Sequence, residues 1–113
     1  MPKEERNEGD LLQGTLEVLV LKALVRGPMH GYGVAEWIHE TSHQLLKVEE
    51  GALYPALHRM EVRGLLKAEW GASENNRRAR YYTLTAAGRK HMAAERADFE
   101  RMVAAIHKVL QTT

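Results

Sequence analysis

The sequence predicts a mainly α fold with a small β-hairpin, of the α+β class, on three observations. Leucine- and alanine-rich segments recur at helical spacing as far as Gly64, the pattern then changes to period two, and helical spacing returns after Thr85. With 113 residues, 44% of them hydrophobic, the chain has one domain's worth of length and can bury a modest core. Its longest apolar run, Val18 to Leu21 continuing past Lys22 to Val25, is far short of a membrane span, and the Met-Pro-Lys-Glu-Glu start does not read as a signal peptide. A cytoplasmic protein is expected. The absence of cysteine agrees with that compartment and excludes disulfides, thiolate zinc sites and cysteine catalysis.

The net charge of +1 does not advertise a polyanionic partner, but the charge is unevenly distributed. Residues 1–10 hold four acids against two bases, whereas Asn75 to Ala94 holds Arg77, Arg78, Arg80, Arg89 and Lys90 with no acid. The second stretch is a local positive patch.

Residues 1–10 are polar and lack apolar periodicity, so they read as a flexible tail. From Leu11 to Arg26 nearly every side is apolar, with Leu12, Leu16, Leu19 and Ala23 on one face and Val18, Leu21 and Val25 on another. The length, the leucine and alanine content and the Gly27-Pro28 stop favour a helix over a strand, and a helix of this kind packs between two layers. His30 to Ser42 reads as a short helix with Val34, Ala35 and Ile38 inward, and two glycines near its start allow close approach. The segment HQLLKVEE then connects it to a second helix, over Glu50 to Gly64.

That second helix carries the main functional signal. Leu53, Ala56, Leu57 and Met60 form its core stripe, Pro55 is expected in or beside its first turn, and Gly64 closes it. Gly51, Ala52, Pro55, His58, Arg59 and Val62 face outward, with Tyr54 and Arg63 flanking. Small residues at a helix start let its backbone amides approach something closely. Beyond Gly64, Leu66, Ala68 and Trp70 alternate with polar residues, Gly71 to Arg78 is a polar turn, and Arg80, Tyr82 and Leu84 alternate again, giving a hairpin with a basic tip. Helix, turn, helix and basic hairpin compose a winged helix-turn-helix, whose second helix enters the major groove and whose wing grips the backbone or the minor groove. This assigns 11–84 to a DNA-binding domain.

Thr85 can cap a last helix reaching about Leu110. Met92, Phe99 and Ile106 recur every seven residues, with Met102 and Val109 adding to the seam and Glu95, Arg96, Glu100 and Arg101 flanking it. A seam this narrow suits a partner helix, so 85–113 is expected to be a dimerisation helix and the protein a homodimer on a two-fold symmetric operator. The large, adaptable Met92, Phe99 and Met102 also suit an apolar or aromatic effector at that seam, with Trp70, Met92 and Phe99 as candidate contacts.

The blocks LLQGTLEVLVLKAL, HGYGVAEWI, EEGALYPALHRMEVRGLL and RYYTLTAAGR together resemble the short form of the PadR-like transcriptional regulators, over roughly residues 11–110. The resemblance implies a dimeric winged-helix repressor, often released from double-stranded DNA by a small aromatic or drug-like ligand. It also implies DNA contacts from Ala52, Tyr54 and Pro55, from Tyr32 on the preceding helix, and from the wing arginines Arg77, Arg78 and Arg80, to which the exposed-face reading adds Arg59 and Arg63. Arginine and tyrosine suit phosphate oxygens. Two departures stand out: Trp37 replaces a more usual charged residue, and the last helix has Phe99 but no counterpart of the family's stacking tryptophan.

One motif competes. His39, Glu40 and His43 fit H-E-x-x-H, the helical zinc-hydrolase pattern, which would make the chain a metal-binding protein or a hydrolase. Thr41-Ser42 resembles a helix end that would separate the two imidazoles, and no third ligand is evident. No Gly-rich phosphate loop and no distinct carboxylate pair is present, so neither an enzyme nor a cofactor is expected.

Overall fold

The structure, a computed structural model, describes residues 3–113. In order it comprises α1 (Lys3–Val25), β1 (Met29–His30), α2 (Gly31–Thr41), α3 (Glu50–Val62), β2 (Leu66–Ala72), β3 (Arg78–Leu84) and α4 (Ala86–Gln111). The backbone is helical from Lys3, ahead of the boundary expected at Leu11, while Met1 and Pro2 lie outside the described residues.

Helix α1 is the centre of the packing. It contacts α2, α3, α4 and β3, and its Val20, Leu21, Ala23 and Leu24 are fully buried. Apolarity around its whole circumference is therefore satisfied on several sides, as the sequence pattern required. Val34 and Ile38 of α2, Leu53, Ala56, Leu57 and Met60 of α3, and Leu66, Tyr82 and Leu84 of the hairpin close the same core. Trp37 packs partly against it, with the Arg26 guanidinium 5.6 Å from its ring.

Helix α2 starts from His30, whose Nδ1 accepts a hydrogen bond from the Gly33 amide at 3.0 Å. It stops at Thr41, and His43 and Gln44 turn the chain with positive φ of 56° and 67°. Helix α3 has no side-chain cap at Glu49, and Pro55 lies inside it, just past its first turn. The Gly51 carbonyl thereby loses its helical donor, which is tolerable only because that face is open. At its other end Gly64, at φ 80°, sends its amide to the Glu61 carbonyl and Leu65 sends its own to Met60, a Schellman closure with buried Leu65 as the accompanying apolar contact.

The sheet has the order β1-β3-β2 and is antiparallel throughout. Leu66 pairs with Leu84, Ala68 with Tyr82 and Trp70 with Arg80, so the core-facing set of each strand lies opposite the other's. The short strand β1 was not legible in the sequence; it pairs Met29 with Tyr82 and His30 with Tyr81 and ties the start of α2 to the wing.

A tight corner joins α3 to α4. Thr85 caps α4 by accepting from the Gly88 amide, donates its hydroxyl to the Gly64 carbonyl at 2.7 Å, and sends its amide to the Leu65 carbonyl at 3.1 Å. Gly88 lies so close to the Leu65 carbonyl that a Cβ there would overlap it.

Candidate nucleic-acid interface

One face of the molecule gathers the start of α2, the start of α3 and the hairpin. Between them opens a cleft of about 1020 Å³ bordered by Tyr32 and Glu36 of α2, Tyr54 of α3, and Trp70, Arg77, Arg78 and Arg80 of the hairpin. Tyr32 is 64% exposed and free to reach out of it. On α3, Gly51, Ala52, Pro55 and His58 are exposed, as the helical spacing predicts. An added Cβ on Gly51 would meet no atom within 4 Å, so the outward surface of this turn is smooth and backbone-rich.

Tyr54 has two duties. Its ring covers buried Gly31 at the start of α2, where a Cβ would come within 2.6 Å of the ring, yet 42% of the residue remains exposed. Burial, with the Glu50 carboxylate adding to it, raises its phenol above the ordinary value of 10.0, so it presents a neutral hydroxyl that can donate to a phosphate oxygen.

The arginines divide into two groups. Arg77 and Arg78 at the wing tip are exposed and make no ion pair among the described residues. Their loop is shaped by the Ser73 amide donating to the Arg77 carbonyl, by the Ser73 hydroxyl accepting from the Arg77 amide, and by Asn76 at φ 60°. Arg59, Arg63 and Arg80, also expected to contact DNA, are partly exposed and paired with acids of the domain. Arg59 and Arg63 both reach Glu17 of α1, at 3.6 and 3.3 Å, and Arg63 also lies 3.4 Å from Nε2 of His91, which in turn is 3.7 Å from Glu95. Arg80 pairs with Glu61 of α3 at 2.9 Å. Spacing along α3 alone cannot show these pairs: the acid that meets Arg59 and Arg63 comes from α1, packed alongside, and α3's own Glu61 takes Arg80 from the neighbouring β3. Ion pairs this exposed contribute at most about 1 kcal/mol each, so they orient more than they stabilise.

The remaining expectations divide similarly. Along α4, Met102, Ile106 and Val109 are exposed, with Val103 and Leu110 beside them, while Phe99 is half-buried. Met92, expected on the same seam, packs against the chain's own core because it lies near the α4 start, where that helix crosses the domain. Within one chain the trio named for an effector lies apart: Trp70 lines the wing cleft, whereas Met92 packs against the core. His39 lies on α2, whereas His43 comes after its end with left-handed backbone, so the two imidazoles are not one helical turn apart as H-E-x-x-H requires. Among the described residues no three metal-ligating side chains converge, and no helix is long and apolar enough to cross a membrane.

Sequence reasoning missed the partners of the wing: Glu61, and Trp70 as the surface on which Arg78 rests, its guanidinium carbon 4.3 Å from the ring centre. Strand alternation contained part of the signal, since it places Trp70 and Arg80 on one face once the turn length is known.

The sequence profile of the transcriptional regulator PadR-like family matches residues 20–94, from the last turns of α1 into α4, and so spans α2, α3 and the hairpin. The chain belongs to this family. A transcriptional regulator of Clostridium thermocellum superposes with a TM-score of 0.79 at 28% identity, over 88% of this chain and 96% of its own. A PadR-family transcriptional regulator of Eggerthella lenta does so with a TM-score of 0.76 at 30% identity, over 92% and 88% respectively. A transcriptional regulator of Mycobacterium tuberculosis is 37% identical over 67 residues, which is 58% of this chain and 62% of that protein. The PadR-like chain is thus a winged-helix transcriptional regulator, and its α4 is the helix that continues beyond the matched segment.

Proposed function

We propose that this PadR-like protein is a homodimeric repressor that binds a two-fold symmetric operator in double-stranded DNA. The observation that carries the reading is the shared cleft itself: exposed Tyr32 of α2, half-exposed Tyr54 of α3 and the unpaired wing arginines Arg77 and Arg78 all border it, and the smooth, exposed turn of Gly51, Ala52 and Pro55 adjoins Tyr54 on α3. On this reading the start of α3, with Ala52, Tyr54 and Pro55, enters the major groove, while Arg77 and Arg78 bind phosphates. Arg59, Arg63 and Arg80 act from behind, by holding α3 and the wing in place. The exposed apolar row Met102, Ile106 and Val109 on α4 pairs with its copy, which sets two recognition helices about one DNA turn, ~34 Å, or a multiple of it apart. A small aromatic effector would act at this seam, against Phe99 and Met102.

The test is gel filtration followed by binding to the DNA upstream of the protein's own reading frame across a salt series. A dimer neutralising several phosphates must show a steep loss of affinity with salt, and Arg77→Ala with Arg78→Ala should flatten the logarithmic slope by roughly one to two units on any sequence. A monomer that binds a single half-site equally well contradicts the dimer, and a flat salt response contradicts DNA binding.

A further inference from the structure

We propose that Trp70 is a positioning residue for DNA binding: with Glu61 and Arg80 it forms a continuous stack that holds Arg78 at a set place relative to α3. The inference rests on the DNA-binding reading above. The stack starts on the recognition helix, where the Glu61 carboxylate takes Arg80 at 2.9 Å. Arg80 is the register partner of Trp70 across the hairpin, and its guanidinium carbon lies 5.8 Å from the indole centre. Its Nε is buried, so the stem is packed and the head has little freedom. The indole then carries the Arg78 guanidinium at 4.3 Å, a diagonal pair one step nearer the tip.

Strand alternation explains why these groups share a face. Leu66 and Ala68, Tyr82 and Leu84 use it to meet the core, and Trp70, Arg80 and Arg78 continue it past the point where the helices cover the sheet. An indole 59% exposed contributes little to that core. What it does offer is a flat, electron-rich surface for a cation that would otherwise sample many rotamers at the last rung of the ladder. An arginine already held loses less freedom when it meets a phosphate, and one held from α3 meets it at a fixed distance from the recognition helix. Trp70 therefore acts on DNA through Arg78.

The experiment compares the full chain as wild type, Trp70→Leu, Trp70→Phe, Arg78→Ala and the Trp70→Leu/Arg78→Ala double variant, on the upstream fragment and on a random duplex. Trp70→Leu should weaken binding about three- to fivefold, the size of an exposed cation–π contact, and Trp70→Phe, which keeps an aromatic face, should recover most of it. In the Arg78→Ala background the same Trp70→Leu change should cost less than about twofold, because the two act as one unit. Equal costs with and without Arg78 would overturn the proposal and assign the indole to DNA directly or to the fold alone. A second readout uses free protein in a Trp37→Phe background: Arg78→Ala and Glu61→Gln should each make Trp70 more accessible to acrylamide quenching, and unchanged quenching also overturns the stack. Should wild type show no steep salt dependence, the DNA-binding reading fails by itself, while quenching still decides whether the stack exists.

Discussion

Replacing Gly51 by alanine should make the protein more stable and a poorer DNA binder. Gly51 lies in the first turn of α3 with ordinary helical backbone, and a Cβ added there meets nothing within 4 Å. Alanine should thus gain the usual glycine-to-alanine difference in a helix, about 0.5–1 kcal/mol. For 113 residues the unfolding entropy near the midpoint is about 0.24 kcal/mol/K, so the melting temperature should rise by roughly 2–4 °C. On DNA the same methyl would stand on the smooth outward turn beside Ala52 and Pro55, where a close interface pays about 1–3 kcal/mol for an inserted group, or roughly five- to 150-fold in affinity. Thermal melts by circular dichroism and anisotropy titrations on the upstream fragment measure the two halves separately. A higher melting temperature with unchanged affinity would refute close approach of this turn to DNA, and a lower melting temperature would refute the open environment on which the reasoning rests.

Gly88→Ala should behave oppositely, because the new Cβ would overlap the Leu65 backbone carbonyl, which cannot rotate aside. A loss near the upper end of the ~1–3 kcal/mol overpacking range, about 10 °C in melting temperature, is expected in the same assay. Ile106→Glu, on the exposed distal part of α4, should leave each protomer folded but shift gel filtration from dimer to monomer. Alkaline pH should weaken the fold through two tyrosines. Burial, helped by Glu50, raises the Tyr54 phenol, and burial, opposed by Arg80 but helped by Glu61 and Tyr54, raises that of Tyr82. The folded chain then holds protons that the unfolded chain releases, so their contribution is complete below about 10 and is lost as pH climbs through the raised values. Phenolate absorbance in native and denatured protein, with melts across that range, checks both direction and window.

The elements most visible in the sequence were those whose signal is local. The stripe Leu53, Ala56, Leu57 and Met60 is fully buried, and Thr85 caps α4 as its position before a periodic run suggested. The alternation in Leu66–Ala72 and Arg78–Leu84 gives the hairpin directly. What was not legible depends on residues far apart in the chain. Two residues, Met29 and His30, have no period of their own, and they become a strand only because β3 offers an edge. Arg63 meets Glu17 across 46 positions and Arg80 meets Glu61 across 19, distances over which no helical or strand period can show an ion pair. Met92 fitted the heptad equally well as a core residue or a seam residue, and only the crossing of α4 over the domain decides between them. The zinc pattern matched in letters but not in space, because His43 lies beyond the last turn of α2.

The corner between α3 and α4 behaves as a fulcrum. Two backbones meet there with only a glycine between them, pinned by the Thr85 hydroxyl and amide, so no compressible side chain separates the load from the pivot. The α4 shaft of 26 residues is about 39 Å long, and a tilt of about five degrees moves its far end by roughly 3 Å relative to the pivot. Such a joint has almost no slack. In the proposed dimer, where two such shafts are clamped together, the crossing angle would set the separation of the two α3 helices, and a change of that angle would reach them undiminished.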